Sequence, residues 1–186
     1  PEDNLAGWRR DVVEAVRALQ PPLIRWPGGN FASAYHWQDG IGPRDGRPSR
    51  ADVAWGALEP NDVGTGEFMA LCRELGAAPY LCVNLGSGTP EEAAAWVEYC
   101  NGPEESVYGR LRAEHGHPEP YGVHYWGVGN ETYGNWQHGH VDARTYARRY
   151  RAFAAAMRAV DPTIALVGVG AQPYEALAHF LEENKI

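Results

Sequence analysis

The sequence predicts an α/β fold, a partial (β/α)8 TIM barrel of about four βα units, and three observations predict it. Short apolar runs suited to strands alternate with segments of helical periodicity. Polar residues follow three successive strands, Asn30, Asn84 and the pair Asn130-Glu131, as expected where loops share one mouth. No Gly-x-Gly-x-x-Gly turn follows the first strand, which speaks against a doubly wound nucleotide-binding sheet. A complete barrel of this kind takes about 250 residues. With 186 residues, the chain is expected to hold one segment of such a domain over 1–186.

The elements follow in order. Leu5, Trp8, Val12, Val13, Val16 and Leu19 recur at helical spacing, and Pro21-Pro22 end that helix. Leu23-Ile24-Arg25-Trp26 is a short strand running into the turn Pro27-Gly28-Gly29-Asn30-Phe31. A long loop with Trp37, Asp39 and Pro43 comes next, and its aromatics argue for function rather than disorder. Thr65 is read as the N-cap of a second helix with Phe68, Leu71, Cys72 and Leu75 on one face and Gly76 as its stop. Residues 79–85 form a near-continuous apolar strand, the pattern of burial on both faces. Thr89-Pro90-Glu91-Glu92 is a capping box with proline at the first helical position, so a third helix starts there and carries Trp96, Val97 and Cys100. A short helical stretch around Leu111 and the turn Gly116-His117-Pro118 lead to a strand ending at Glu131. Asp142 caps a fourth helix through Tyr146, Tyr150, Phe153 and Met157, which stops at Asp161-Pro162. Residues 164–170 form a further buried strand, and 174–181 the next helix.

Composition narrows the function. A hydrophobic content of 44% in 186 residues supports one globular core, and a net charge of -8 argues against nucleic acid as partner. No apolar run approaches the ~20 residues that span a bilayer, so no membrane is expected. Cys72, Cys82 and Cys100 are odd in number and lack metal-type spacing, which points to free thiols in a reducing, cytoplasmic compartment. His138-Gly139-His140 has no nearby third ligand and is read as loop beside a cleft; neither metal nor cofactor is expected.

Chemistry concentrates at Tyr125-Trp126-Gly127-Val128-Gly129-Asn130-Glu131, a strand that delivers a carboxylate to its C-terminal end. Glu131 is the first candidate for a catalytic group; the plain alternative is a carboxylate that merely opens a solvated loop. An asparagine directly before it, with Trp126, Tyr133 and Trp136 nearby, suits a ligand with many hydroxyls on a partly apolar ring. Glu59, Glu67, Glu98 and Glu175 sit in loops or on helices and are weaker candidates for a second catalytic carboxylate. Arg25 alone reads equally as a structural ion-pair residue, and Asn84 as a side chain bonded to the backbone at the rim. Trp8 and Trp96 fall on helix faces and belong to the core, whereas Trp37 and Trp136 lie in loops, free to flank a sugar.

The segments Arg25-Trp26-Pro27-Gly28-Gly29-Asn30-Phe31, Tyr35-His36-Trp37-Gln38-Asp39-Gly40-Ile41-Gly42-Pro43, Asn84-Leu85-Gly86-Ser87-Gly88-Thr89 and Trp126-Gly127-Val128-Gly129-Asn130-Glu131 resemble the α-L-arabinofuranosidases of glycoside hydrolase family 51. So do Glu67-Phe68 and Trp96-Val97-Glu98-Tyr99, and the resemblance covers nearly the whole chain. It implies a retaining, exo-acting glycosidase whose general acid/base is Glu131. Asn130 then matches the asparagine bonded to the sugar's 2-hydroxyl, and Arg25 and Asn30 match residues shaping the pocket for a terminal arabinofuranose. Arabinofuranosyl oligosaccharides are the implied substrates and a homo-oligomer the expected complete enzyme. The family's nucleophilic glutamate on a later strand, an upstream glutamate near the first strand and a β-sandwich domain have no counterpart expected within 1–186. Two rivals are a retaining endo-glucanase or xylanase of similar barrel type and a non-catalytic sugar-binding half-barrel.

Overall fold

A computed structural model of the chain describes residues 3–5 and 7–170. Strands β1 (Asn4–Leu5) and β2 (Trp8–Arg9) form an antiparallel ribbon ahead of helix α1 (Arg10–Ala18). Strand β3 (Leu23–Trp26) leads into 3-10 turns at Gly29–Ser33, Trp37–Gly40 and Arg44–Gly46 and a hairpin of β4 (Arg50–Asp52) and β5 (Ala57–Glu59). Helix α2 (Thr65–Leu75), β6 (Ala78–Val83), α3 (Pro90–Asn101), α4 (Val107–Glu114), β7 (Tyr125–Val128), α5 (Ala143–Val160) and β8 (Ala165–Val167) complete the order.

The main sheet runs β3-β6-β7-β8, every pair parallel, with Arg25, Tyr80, Tyr125 and Ala165 in one row. Sequential order and common direction put all four C-terminal ends on one rim. Side chains alternate between two faces. Ile24, Trp26, Leu81, Val83, Trp126, Val128 and Leu166 join the apolar core together with Phe68 and Cys72 of α2, Trp96 of α3 and Tyr150 of α5. The other face carries Arg25, Tyr80 and Cys82 together with Leu23, Tyr125 and Val167, the last three exposed. Helices thus pack on one face, whereas a doubly wound sheet covers both. Among the described residues the sheet is open, with β3 and β8 at its edges, and no barrel closes.

Capping chemistry sets the helix starts. Thr89 accepts from Glu92 N–H at 3.1 Å with Pro90 at the first helical position, and Asp142 accepts from Thr145 N–H at 2.7 Å. The cap of helix α2 lies one residue earlier than expected: Gly64 holds the cap position, and its N–H donates to Glu67 Oε2 at 3.0 Å. Thr65 is instead the first helical residue, its hydroxyl accepting from Trp96 Nε1 at 3.0 Å. The first helix is shorter than its periodicity suggests, because the chain turns back at Gly7, with a φ of 93°, and pairs Asn4 and Leu5 with Arg9 and Trp8 in the ribbon. Trp8 therefore lies on that ribbon, half-buried, and donates from Nε1 to the Glu67 carbonyl at 3.1 Å. The last strand contracts to three residues, and the helix expected over 174–181 lies outside the described residues.

One buried charge ties the helical layer together. Arg112 is 0% exposed and donates to the carbonyls of Tyr99, Gly102, His117 and Pro118 at 2.8 to 2.9 Å. Tyr99 and Gly102 lie at the C-terminal end of α3, where unpaired carbonyls and the negative end of the helix dipole favour a cation. Among the described residues no carboxylate pairs with it, so backbone oxygens alone replace its water. Replacing Arg112 with Met strands four buried carbonyls and is expected to lower stability by about 3 kcal/mol or more, with Lys in between. Urea unfolding followed by circular dichroism measures this; an unchanged midpoint contradicts the bonding pattern.

Candidate active site

Two of the polar residues singled out in the sequence, Arg25 and Asn130, meet at the C-terminal rim of the sheet. Arg25, on β3, reaches past the intervening β6 to Asn130, with Nη1 and Nη2 each 3.3 Å from Asn130 Oδ1. Beneath it lie Tyr80 and Cys82 of β6. Burial raises the Tyr80 phenol's pKa against a bond from Arg25, and pushes the Cys82 thiol up to about 11 while its Sγ donates to the Gly129 carbonyl at 3.3 Å.

Gly129 makes the turn that brings Asn130 round. It has a φ of 89°, and a Cβ there would sit 2.9 Å from Leu85 Cβ, so a side chain is excluded by both conformation and contact. Asn130 is 5% exposed. Because its Oδ1 faces the guanidinium, its Nδ2 must face the other way, and this buried N–H2 has no hydrogen-bond partner among the described residues. A buried donor left unpaired costs roughly 1–3 kcal/mol, so its persistence points to a partner supplied by a ligand.

Glu131 follows at once, exposed and in the left-handed region at φ 41°. That conformation costs a glutamate roughly 1 kcal/mol, and strain of this kind gathers at functional sites. Its carbonyl accepts from Gly134 N–H at 2.8 Å, closing a tight turn, while its carboxylate makes no hydrogen bond or ion pair among the described residues. Asn30 lies half-buried in the 3-10 turn after β3, and its amide also makes no such bond.

Three rim loops lock into one another. Gln137, after β7, donates from Nε2 to Ser33 Oγ, after β3, and Ser87 N–H, after β6, donates to the Ser33 carbonyl at 3.2 Å. Gly86 and Gly139 meet backbone to backbone, with no room for a Cβ on either. These loops bound a cavity of about 270 Å³ whose walls include Phe31, His36, Arg50, Val53, Ser87 and His138. Arg25, Asn130 and Glu131 do not line it.

Other expectations sort themselves against this geometry. Asn84 takes the rim role: its Oδ1 accepts from Gly86 and Ser87 N–H at 3.1 and 3.0 Å. Trp37 is core rather than cleft. It is 1% exposed, stacks on Trp96 at 6.1 Å and 2°, and donates to the Glu92 carbonyl at 3.0 Å. A loop that folds inward through 3-10 turns gives no periodicity from which this could be read. Trp136 remains exposed, edge-on to Tyr133. The exposed Trp55, between the strands of the β4–β5 hairpin, went unremarked in the sequence, where the available signal was a large aromatic beside glycine in a polar loop; Tyr80 was read only as part of the strand over 79–85. Glu59 accepts from Asn61 N–H, Glu67 pairs with Arg47 and Glu98 accepts from Tyr108 N–H, so each is engaged elsewhere; Glu175 lies outside the described residues. Cys72, Cys82 and Cys100 are free and buried. Among the described residues no His, Cys, Asp and Glu group as for a metal, and no helix is long and apolar enough to cross a membrane.

A one-sided parallel sheet with a guanidinium, an amide with a free donor and a carboxylate near its C-terminal rim defines an α/β protein with a candidate site at that rim. A sequence profile described as the alpha-L-arabinofuranosidase 1 domain matches residues 15–184. Over 170 residues the chain is 48% identical to α-L-arabinofuranosidase C of Emericella nidulans, covering 91% of this chain and 34% of that protein. It is 45% identical to the intracellular exo-α-(1→5)-L-arabinofuranosidase 1 of Bacillus subtilis, again over 91% of this chain and 34% of that one. The thermostable GH51 α-L-arabinofuranosidase of Thermotoga petrophila superimposes with a TM-score of 0.93 at 50% identity, over 98% of this chain and 38% of that one. The chain belongs to the α-L-arabinofuranosidases of glycoside hydrolase family 51. It spans just over a third of the length of these relatives.

The Arg25–Asn130 contact is itself testable. Arg25→Ala and Asn130→Ala are expected to be non-additive by about 1 kcal/mol in urea unfolding, because each removes the same bonds. Strict additivity contradicts the contact.

Proposed function

We propose that this chain is the segment of a retaining, exo-acting α-L-arabinofuranosidase that carries the general acid/base, Glu131, and the arabinofuranose contacts Arg25, Asn30 and Asn130. In this reading its four βα units are part of a (β/α)8 catalytic barrel, supported by sequential parallel strands with helices on one face. The observation that carries the proposal is the Asn130 amide. Its oxygen is held by Arg25 and its buried N–H2 has no partner, directly before a carboxylate at a strand's C-terminal end.

The chemistry follows from that arrangement. A sugar hydroxyl accepting from Asn130 Nδ2 fixes the ring beside Glu131. The protonated Glu131 carboxyl gives its proton to the glycosidic oxygen as the bond from that oxygen to the anomeric carbon breaks. A second carboxylate attacks that carbon to form the glycosyl-enzyme. Glu131, now ionised, takes a proton from water as the water displaces that carboxylate, restoring both groups. Since Glu59, Glu67 and Glu98 are engaged elsewhere, the proposal assigns the nucleophile to another part of the enzyme, on a later strand.

Substrates are proposed to be arabinofuranosyl ends of arabinoxylan or arabinan fragments, in line with the relatives' names. A cytoplasmic location is supported by three free buried thiols and by the intracellular Bacillus relative. The homo-oligomeric state rests on the family resemblance alone.

Two variants of the enzyme that carries this chain test the roles. Glu131→Ala should slow hydrolysis of natural glycosides by a factor on the order of 10²–10⁴ yet affect activated aryl arabinofuranosides far less, with azide restoring turnover. Equal loss on both substrates without azide rescue refutes the acid/base role. Asn130→Ala should lower kcat more than it raises KM, since a bond to the 2-hydroxyl strengthens in the transition state. A change in KM alone would make Asn130 a ground-state contact.

A further inference from the structure

A second polar cavity lies away from Glu131, among the helices. It measures about 470 Å³, and its walls include Arg44 and Arg47 of the loop after β3, Glu67 and Arg73 of α2, and His115 and His117 beyond α4. Three guanidiniums thus face one carboxylate, and that carboxylate is already committed. Glu67 accepts from Arg47 Nη2 at 2.9 Å and Nη1 at 3.1 Å, and from Gly64 N–H at 3.0 Å. These bonds hold its pKa below the usual carboxylate range, although burial acts the other way. Arg47 is spent in turn, for it also donates to the carbonyls of Gly42 and Asn61.

Arg44 and Arg73 are therefore in surplus. Arg44 touches Glu67 only at 3.5 Å, and the Arg73 guanidinium makes no hydrogen bond or ion pair among the described residues. The imidazoles add to them. His115 uses Nδ1 on the Tyr99 hydroxyl at 3.1 Å, and its Nε2 would lie 3.1 Å from a Cβ on Gly42. His117 Nε2 and the Tyr121 hydroxyl would lie 3.9 and 3.8 Å from a Cβ on Gly66, so both border the same spot on the first turn of α2. That hydroxyl is buried with no partner among the described residues. Burial, with Arg47 beside His115 and Arg73 beside His117, holds both imidazoles below their usual range. A cation is repelled here, and a neutral ligand leaves the surplus positive charge uncompensated. A tetrahedral oxyanion pairs with them in bidentate fashion and accepts from imidazole and phenol donors. The volume exceeds what a bare anion needs and falls within the range of small-molecule pockets.

We infer that this cavity binds a phosphomonoester dianion, with inorganic phosphate as its minimal form, through Arg44, Arg73, His117 and Tyr121. It is a site separate from the one at Glu131.

Isothermal titration of the complete enzyme with inorganic phosphate, a pentose 5-phosphate and the unphosphorylated pentose tests this at fixed ionic strength. Both phosphates should bind saturably. Arg73→Ala, a change at an exposed helix position, should weaken both by about tenfold while leaving kcat on an aryl arabinofuranoside unchanged. Proton NMR should show the His115 and His117 ring signals shifting on phosphate addition. A tighter pentose phosphate identifies a metabolite as ligand, and equal affinities identify the free anion. No saturable phosphate binding in the millimolar range overturns the inference, as does phosphate binding undiminished both in Arg73→Ala and in Arg44→Ala.

Discussion

A guanidinium on one strand holds the amide at the end of another, past the strand between them. That bond, from Arg25 to Asn130, gives the rim its directionality. It fixes which side of the amide is oxygen, and so leaves the nitrogen to face outward from the bond as a donor. The bond needs three things of the rest of the chain. The parallel register must align Arg25 with Tyr80 and Tyr125, Gly129 must turn the backbone through a φ of 89°, and the Ser33, Ser87 and Gln137 clasp must hold three loops in place. Glu131 inherits its position from all three.

The structure divides its polar groups into two populations. Arg112 and Asn84 are satisfied by backbone, and they hold helix ends and a loop. The Asn130 nitrogen and the Tyr121 hydroxyl are buried without partners among the described residues, one at the rim and one in the helical layer. Buried donors are nearly always bonded, and these two stand beside other polar groups near the rim and in the second cavity, which the Tyr35 hydroxyl, equally unpartnered but set among core aromatics, does not. A cavity alone is a weaker guide: the one of about 270 Å³ between the rim loops does not reach Asn130.

Local chemistry made most of the fold readable from the residues. Thr89-Pro90 and Asp142 announce helix starts because each supplies an acceptor to orphan N–H groups, and Glu131 stands out as a carboxylate just past an apolar strand, which ends at Val128. Tertiary context explains the rest. Leu5 and Trp8 fit a helical spacing that one glycine interrupts. Trp37 sits in a stretch with no regular period, so its burial against Trp96 is invisible without the fold. Arg25 had two readings because a charge on a strand says nothing of its partner; the partner proved to be Asn130, 105 residues away. The buried Arg112 carries no sequence signal at all, since its partners are carbonyls that every residue has.

A crystal structure of the complete enzyme with Glu131→Ala and an uncleaved arabino-oligosaccharide tests this account most directly. The account predicts a terminal arabinofuranose whose 2-hydroxyl lies about 3 Å from Asn130 Nδ2, with the Arg25 bond intact and the glycosidic oxygen facing the space left by the missing carboxylate. A sugar bound elsewhere, or an Asn130 amide turned so that its oxygen meets the sugar, would contradict it.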